Sequence, residues 1–175
     1  ALPICKDASK GLDLISDMLM NPTFPASEAR KLATQQIDGI KAAKDRVSNV
    51  IARYFNRYLF GAHPYGRPVG GSETSLAAIT REDIASFHDA WYSPSNTILA
   101  AVGDFDTAAM RRMIEDRFKG WKRKAVPPLT LSAPSLRPGR RLLLVDKPDA
   151  TQTYFYIGAA GVTRTNPDRV AISVV

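Results

Sequence analysis

Cysteine is nearly missing from this chain: Cys5 is the single one among 175 residues. One thiol closes no internal disulfide and builds no thiolate zinc site. Cys5 reads instead as a small buried hydrophobe, and it permits an oxidising compartment without requiring one. Histidine is almost as scarce. His63 and His88 stand 25 positions apart, one in a Pro/Gly stretch and one beside Phe87, and each reads as a capped or packing histidine. No apolar run approaches the roughly 20 residues of a membrane span. The opening Ala1-Leu-Pro-Ile-Cys-Lys6 has neither a basic leader nor a long apolar core and does not read as a signal peptide. A phosphate loop is also missing, because Gly66-Arg-Pro-Val-Gly-Gly71 lacks the lysine and the strand-before, helix-after frame. No nucleophile triad is evident.

Charge is plentiful but unfocused. The 24 basic and 17 acidic residues leave a net charge of +7. A nucleic-acid binder gathers such charge on one face, often with aromatic residues between. Here it is scattered over Arg30-Lys31, Arg111-Arg112, Lys122-Arg-Lys124 and Arg140-Arg141, which argues against nucleic acid as a partner. Attraction to acidic or presequence-like partners stays open, because field effects need only net charge.

Apolar spacing organises what remains. Leu12, Ile15 and Leu19 predict a helix from Lys6 to Met20, ended by Asn21-Pro-Thr-Phe-Pro25. Ser27 is placed to cap a second helix, whose pattern runs unbroken to about Phe60 and would span about 50 Å. Gly39 and Ser48 are the places where it would bend. Gly61 to Gly71 is a loop by composition, and Ser72 to Ile79 suits a short helix. Thr80 and Asp83 form a weak capping box for a helix to Trp91. Ser93-Pro-Ser-Asn96 turns the chain, and the apolar run Thr97 to Val102 predicts a strand buried on both faces. Asp106 caps a helix through Met110, Met113, Phe118 and Trp121. Prolines 127, 128, 134 and 138 mark a semi-rigid linker. Arg141 to Val145 and Gln152 to Ile157 predict two strands, joined around Pro148-Asp149. Asn166-Pro167 predicts the cap and first residue of a last helix. Two strands and half a helix bury too little to stand alone, so a fragment of a longer protein is expected.

Four phrases carry a resemblance. Lys10-Gly-Leu-Asp-Leu-Ile-Ser-Asp-Met-Leu-Met-Asn-Pro-Thr-Phe24 ends in an "N-P-x-F" phrase. Phe60-Gly-Ala-His-Pro-Tyr-Gly-Arg-Pro68 reads "F-G-x-H-P-Y-G-R-P". Ile79 to Asp104 carries a helix-turn-strand signature ending in Val102-Gly-Asp104. Gly158 to Val170 leads through Pro167-Asp168 toward a helix. In this order they resemble the pitrilysin/insulinase-type zinc metallopeptidases, the group that includes the mitochondrial processing peptidases. The resemblance implies an α+β fold, with helices packed on one face of a mostly antiparallel sheet, incomplete at both ends. It divides the chain into the C-terminal part of a first peptidase-like domain (1–121), a Pro-rich linker (122–139) and the start of a second such domain (140–175).

Active members of that family hold zinc with H-x-x-E-H on a helix and a glutamate further along. Two histidines and one carboxylate leave zinc an open position for water, and the motif's glutamate takes the proton from that water. The motif, an inverzincin signature, would lie upstream of Ala1. The third ligand falls by resemblance on Gly39, in Gln35-Gln-Ile-Asp-Gly-Ile40, and its acidic helper on Leu32. Glycine has no ligand atom. A slip of one residue would offer Asp38, one methylene shorter than glutamate and about 100° away around the helix. Lys41, Lys44 and Arg46 follow where active members are often acidic, and a cation there opposes metal binding.

The resemblance therefore implies no catalytic, cofactor-binding or metal residue within this chain, with zinc in an active partner or in the full-length protein. It implies a non-catalytic subunit or half that pairs with a homologous zinc-bearing subunit, or self-associates, and encloses peptide or unfolded protein; in that family the substrate adds as a strand to a sheet edge. Two alternatives stay open: an internal fragment of an active zinc metalloendopeptidase, and a scaffold like the core proteins of respiratory complexes. Family habit implies a periplasm or cell envelope in bacteria and a mitochondrion in eukaryotes.

Overall fold

A computed structural model describes residues 4–136, 138–148 and 151–174. The expected side-chain role of Cys5 and the joint at Asp149 lie outside the described residues. Helices account for all the regular structure. They are α1 (Ile4–Met20), α2 (Ala26–Lys44), α3 (Val47–Phe60), α4 (Glu73–Ala78), α5 (Arg81–Trp91), α6 (Thr107–Phe118) and α7 (Arg169–Ile172), with single 3-10 turns at Pro64–Gly66 and Pro94–Asn96.

The expected α+β architecture is therefore corrected. Among the described residues there is no strand and no sheet, and the segments read as strands, Thr97 to Val102, Arg141 to Val145 and Gln152 to Ile157, carry no ladder. The physical reason is that a strand exists only through a hydrogen-bonded neighbour about 4.8 Å away. Thr97 does have extended backbone, with φ −125° and ψ 136°. Among the described residues no ladder pairs with residues 98–102, and Ile98 and Val102 are 96% and 97% exposed rather than buried on both faces.

Local capping chemistry sets the starts of α5 and α6. The Thr80 side chain accepts from Asp83 N at 3.1 Å, and Asp83 Oδ2 accepts from Thr80 N at 2.8 Å, closing a full capping box on α5. Asp106 Oδ1 accepts from Ala109 N at 2.7 Å and starts α6. Two expected caps lie elsewhere. The second helix begins before Ser27, with Ala29 N bonded to Pro25 O. Before α7 the cap position is Asp168, while Asn166 Oδ1 accepts from Asp168 N at 2.8 Å in a turn. The long helix is broken as well. Asp45 N and Arg46 N bond back three residues, to Ala42 O and Ala43 O, and Arg46 is extended, with φ −105° and ψ 109°. The chain thus leaves α2 through a tightened turn and starts again as α3.

The chain divides into two compact units, residues 1–32 with 79–130, and residues 33–78 with 131–174 of the described chain. In the first, α1 packs on α6, where Arg117 pairs with Asp13 and donates to Ser9 Oγ at 3.0 Å. The Ser93 turn anchors the strand-free segment after α6. Ser93 is 1% exposed; its hydroxyl accepts from Lys124 N at 3.0 Å and lies 2.9 Å from Ser95 Oγ. Burying a hydroxyl without partners is costly, and here the partners are present. In the second unit, α3 packs on the Pro64–Gly66 turn. A β-carbon on the buried Gly66 would stand 2.6 Å from Gly61 O, so only glycine lets the two backbones approach this closely.

Candidate functional site

The position that the resemblance assigns to a third zinc ligand lies in the body of α2. Gly39 is exposed there, and an added β-carbon would meet nothing within 4 Å. The space for a side chain exists, so packing does not demand glycine. Its neighbour Asp38 is exposed and stands 3.8 Å from Lys41 Nζ, one turn on. Lys44 pairs with Glu73 at 2.5 Å. Leu32, in the helper's place, is 57% exposed. The carboxylate that could substitute for a ligand thus already faces a cation.

Both histidines are committed to backbone. In the 33–78 unit, His63 Nδ1 accepts from Tyr65 N at 3.2 Å, so its proton sits on Nε2, which donates to Ser132 O at 2.9 Å. Neither nitrogen is left for a metal, and the ring caps the Pro64–Gly66 turn. In the other unit, His88 Nε2 donates to Leu19 O at 2.9 Å. Its ring stacks on Tyr92 at 4.6 Å and meets the edge of Phe24 at 5.5 Å. Among the described residues no group of three or more His, Cys, Asp or Glu converges. The donor set in hand does not fit zinc: one glycine, one carboxylate already beside a cation, and two imidazoles tied to carbonyls.

The His88 cluster borders a cleft of about 530 Å³ in the first unit, lined also by Phe24, Arg81, Asp89, Trp121 and Lys124. Its charges are mostly spoken for. Arg81 donates to Thr23 O at 3.1 Å and Phe24 O at 3.4 Å. These bonds grip Phe24, which has φ 45°, a left-handed conformation that side-chain-bearing residues rarely adopt and that is more unusual still before a proline. Asp89 is ion-paired with Lys124, whose ammonium donates to the carboxylate and holds its pKa below the ordinary value. Of the cleft's cations, Arg81 and Lys124 are thus bonded within the unit.

A family model described as the peptidase M16 inactive domain matches residues 78–175. The chain belongs to this peptidase family. The resemblance read from the four phrases is to the same group. An uncharacterized zinc protease of Mycobacterium tuberculosis is 30% identical over 174 residues, which is 97% of this chain and 39% of the relative. A probable mitochondrial-processing peptidase subunit beta of Arabidopsis thaliana is 22% identical over 97% of this chain and 32% of its own length. The chain thus spans about two fifths of the length of the mycobacterial relative. The crystal structure of a peptidase M16 inactive domain from Pseudomonas fluorescens superposes with a TM-score of 0.66 and 22% identity, over 74% of this chain and 31% of that one. At that identity the likeness concerns the fold alone. Among the described residues no helix is long and apolar enough to cross a membrane.

Proposed function

We propose that this chain acts as a non-catalytic peptidase-like half, which pairs with a homologous zinc-bearing subunit and binds the peptide that the partner cleaves. The observation that carries the reading is the glycine at position 39. The place that the resemblance assigns to the third ligand offers no oxygen, and a family model described as the peptidase M16 inactive domain matches residues 78–175 further along the chain. The open space around Gly39 supports it further, because a β-carbon there would meet nothing within 4 Å and packing within this chain does not demand glycine. The subunit named among the relatives supports pairing. On this reading the zinc sits in the partner, residues 1–121 and 140–175 belong to two peptidase-like domains joined by 122–139, and the setting is a bacterial envelope or a mitochondrion.

The test is reconstitution. The purified chain, given a flexible fluorogenic peptide, cleaves nothing by itself. Mixed with a homologue that carries H-x-x-E-H, it co-elutes with that homologue, and cleavage exceeds that of the homologue alone. Chelator-sensitive cleavage by this chain without a partner would overturn the reading.

A further inference from the structure

In the unit made of residues 33–78 and 131–174, two guanidinium groups line one small cleft. Arg57, near the end of α3, donates from Nη1 to Gly61 O at 2.6 Å. Arg141 arrives from the irregular segment after Pro138, with its guanidinium carbon 4.8 Å from the centroid of the Tyr58 ring. The Tyr58 hydroxyl donates to Leu142 O at 3.1 Å, so the backbone that carries Arg141 is tied to the helix that carries Arg57. Tyr54, Leu59, Leu143 and Ser135 also line this pocket of about 280 Å³, and among the described residues no carboxylate does. Among the described residues neither arginine forms an ion pair.

This arrangement has the chemistry of a carboxylate receptor. A guanidinium offers five N–H donors in a planar fork that matches two carboxylate oxygens. Stacking on Tyr58 fixes the plane of Arg141 beforehand, so less side-chain freedom is lost when an anion arrives. The volume lies below the roughly 300–1,000 Å³ of small-molecule sites, which suits one side chain better than a cofactor. The +7 net charge draws acidic chains toward it. We propose that the Arg57–Arg141 cleft receives an Asp or Glu side chain of a bound peptide. The assignment rests on the peptide-binding reading above and adds to it a preference for acidic residues.

Two labelled flexible peptides, identical except for a central Glu or Gln, test it by fluorescence anisotropy. The wild-type chain is expected to bind the Glu peptide about tenfold more tightly, the size of one charge-assisted hydrogen bond. Arg57→Gln and Arg141→Gln are expected to erase that preference, with thermal melts to check folding. Arg57→Glu keeps the test alive if Arg141 variants do not fold: its carboxylate would pair with Arg141 and abolish the preference for the Glu peptide. If both peptides bind the wild type equally, the carboxylate site is wrong and peptide binding stands. If neither binds, the peptide-binding reading itself falls, and this inference with it. Saturable binding of inorganic phosphate alone, lost in Arg57→Gln, would reassign the cleft to a free anion and overturn the proposal.

Discussion

His88 donates from Nε2 to the carbonyl of Leu19 at 2.9 Å, across 69 positions of sequence. The bond ties the last turn of α5 to the last turn of α1, where helix carbonyls lack an internal partner. The same ring is stacked on Tyr92 and edged by Phe24. Losing it removes one half-buried hydrogen bond, about 1 kcal/mol, and aromatic contacts of similar size. His88→Ala is therefore expected to lower the unfolding free energy by about 2 kcal/mol, read from urea denaturation. It should leave any zinc content of a reconstituted complex untouched. A drop in zinc with unchanged stability would contradict this assignment.

Gly39 offers a substitution in the opposite direction. It lies inside α2 with no atom near its missing β-carbon. A glycine in a helix interior costs about 0.5–1 kcal/mol relative to alanine. Gly39→Ala is expected to raise the unfolding free energy by about that much, and Gly39→Glu by somewhat less. Thermal melts of the three proteins check the order. A fall in melting temperature for Gly39→Ala would mean that the glycine serves a contact outside this chain.

Gly66 should behave in the reverse way to Gly39. Its added β-carbon would collide with Gly61 O, a backbone atom that cannot swing aside. Overpacking of this kind costs roughly 1–3 kcal/mol. Gly66→Ala is expected to destabilise by that amount. Gly70→Ala, four residues away and in open space, should change stability by less than about 0.5 kcal/mol. Equal effects at the two positions would show that the turn relaxes freely.

The division between what sequence revealed and what it hid follows the range of the forces. Thr80 with Asp83, and Asp106 before its helix, act within one turn, and the chain shows both caps where the residues stand. The bend expected near Ser48 is a break just before it, after Lys44; Asp45-Arg46 contains neither glycine nor proline, so nothing local marks the exact residues. The apolar runs at 97–102, 141–145 and 152–157 resemble strands because β-branched and aromatic residues suit a pleated surface. Pairing depends on a second backbone, which no run of residues announces. Gly39 draws attention only through the family phrase around it. The Arg57–Tyr58–Arg141 cluster was invisible: its parts lie 84 residues apart, and no local signal links them. Even the commitment of His63 to Ser132 spans 69 positions, so the sequence could place that histidine in a loop without showing which atoms hold it.

Acid sensitivity provides the last prediction. The Asp83 carboxylate accepts from Thr80 N, and secondarily from Thr80 Oγ1, and these bonds hold its pKa below the ordinary value. A carboxyl whose folded pKa is depressed adds stability above its unfolded pKa, about 3.9, and loses that contribution as pH falls through the lower folded value. The α5 cap is thus expected to weaken only below about pH 4. Asp83→Asn keeps an accepting oxygen but cannot titrate. Its denaturation midpoint should sit slightly under that of the wild type at pH 7, since a charged acceptor also favours the positive end of the helix. The two midpoints should then converge as pH falls toward about 3. Asp89 and Asp116, also depressed by Lys124 and Lys119, keep titrating in both proteins, so a residual acid limb remains in each. Parallel loss of stability in wild type and Asp83→Asn between about pH 5 and pH 3 would show that the capping box contributes nothing to the acid limb.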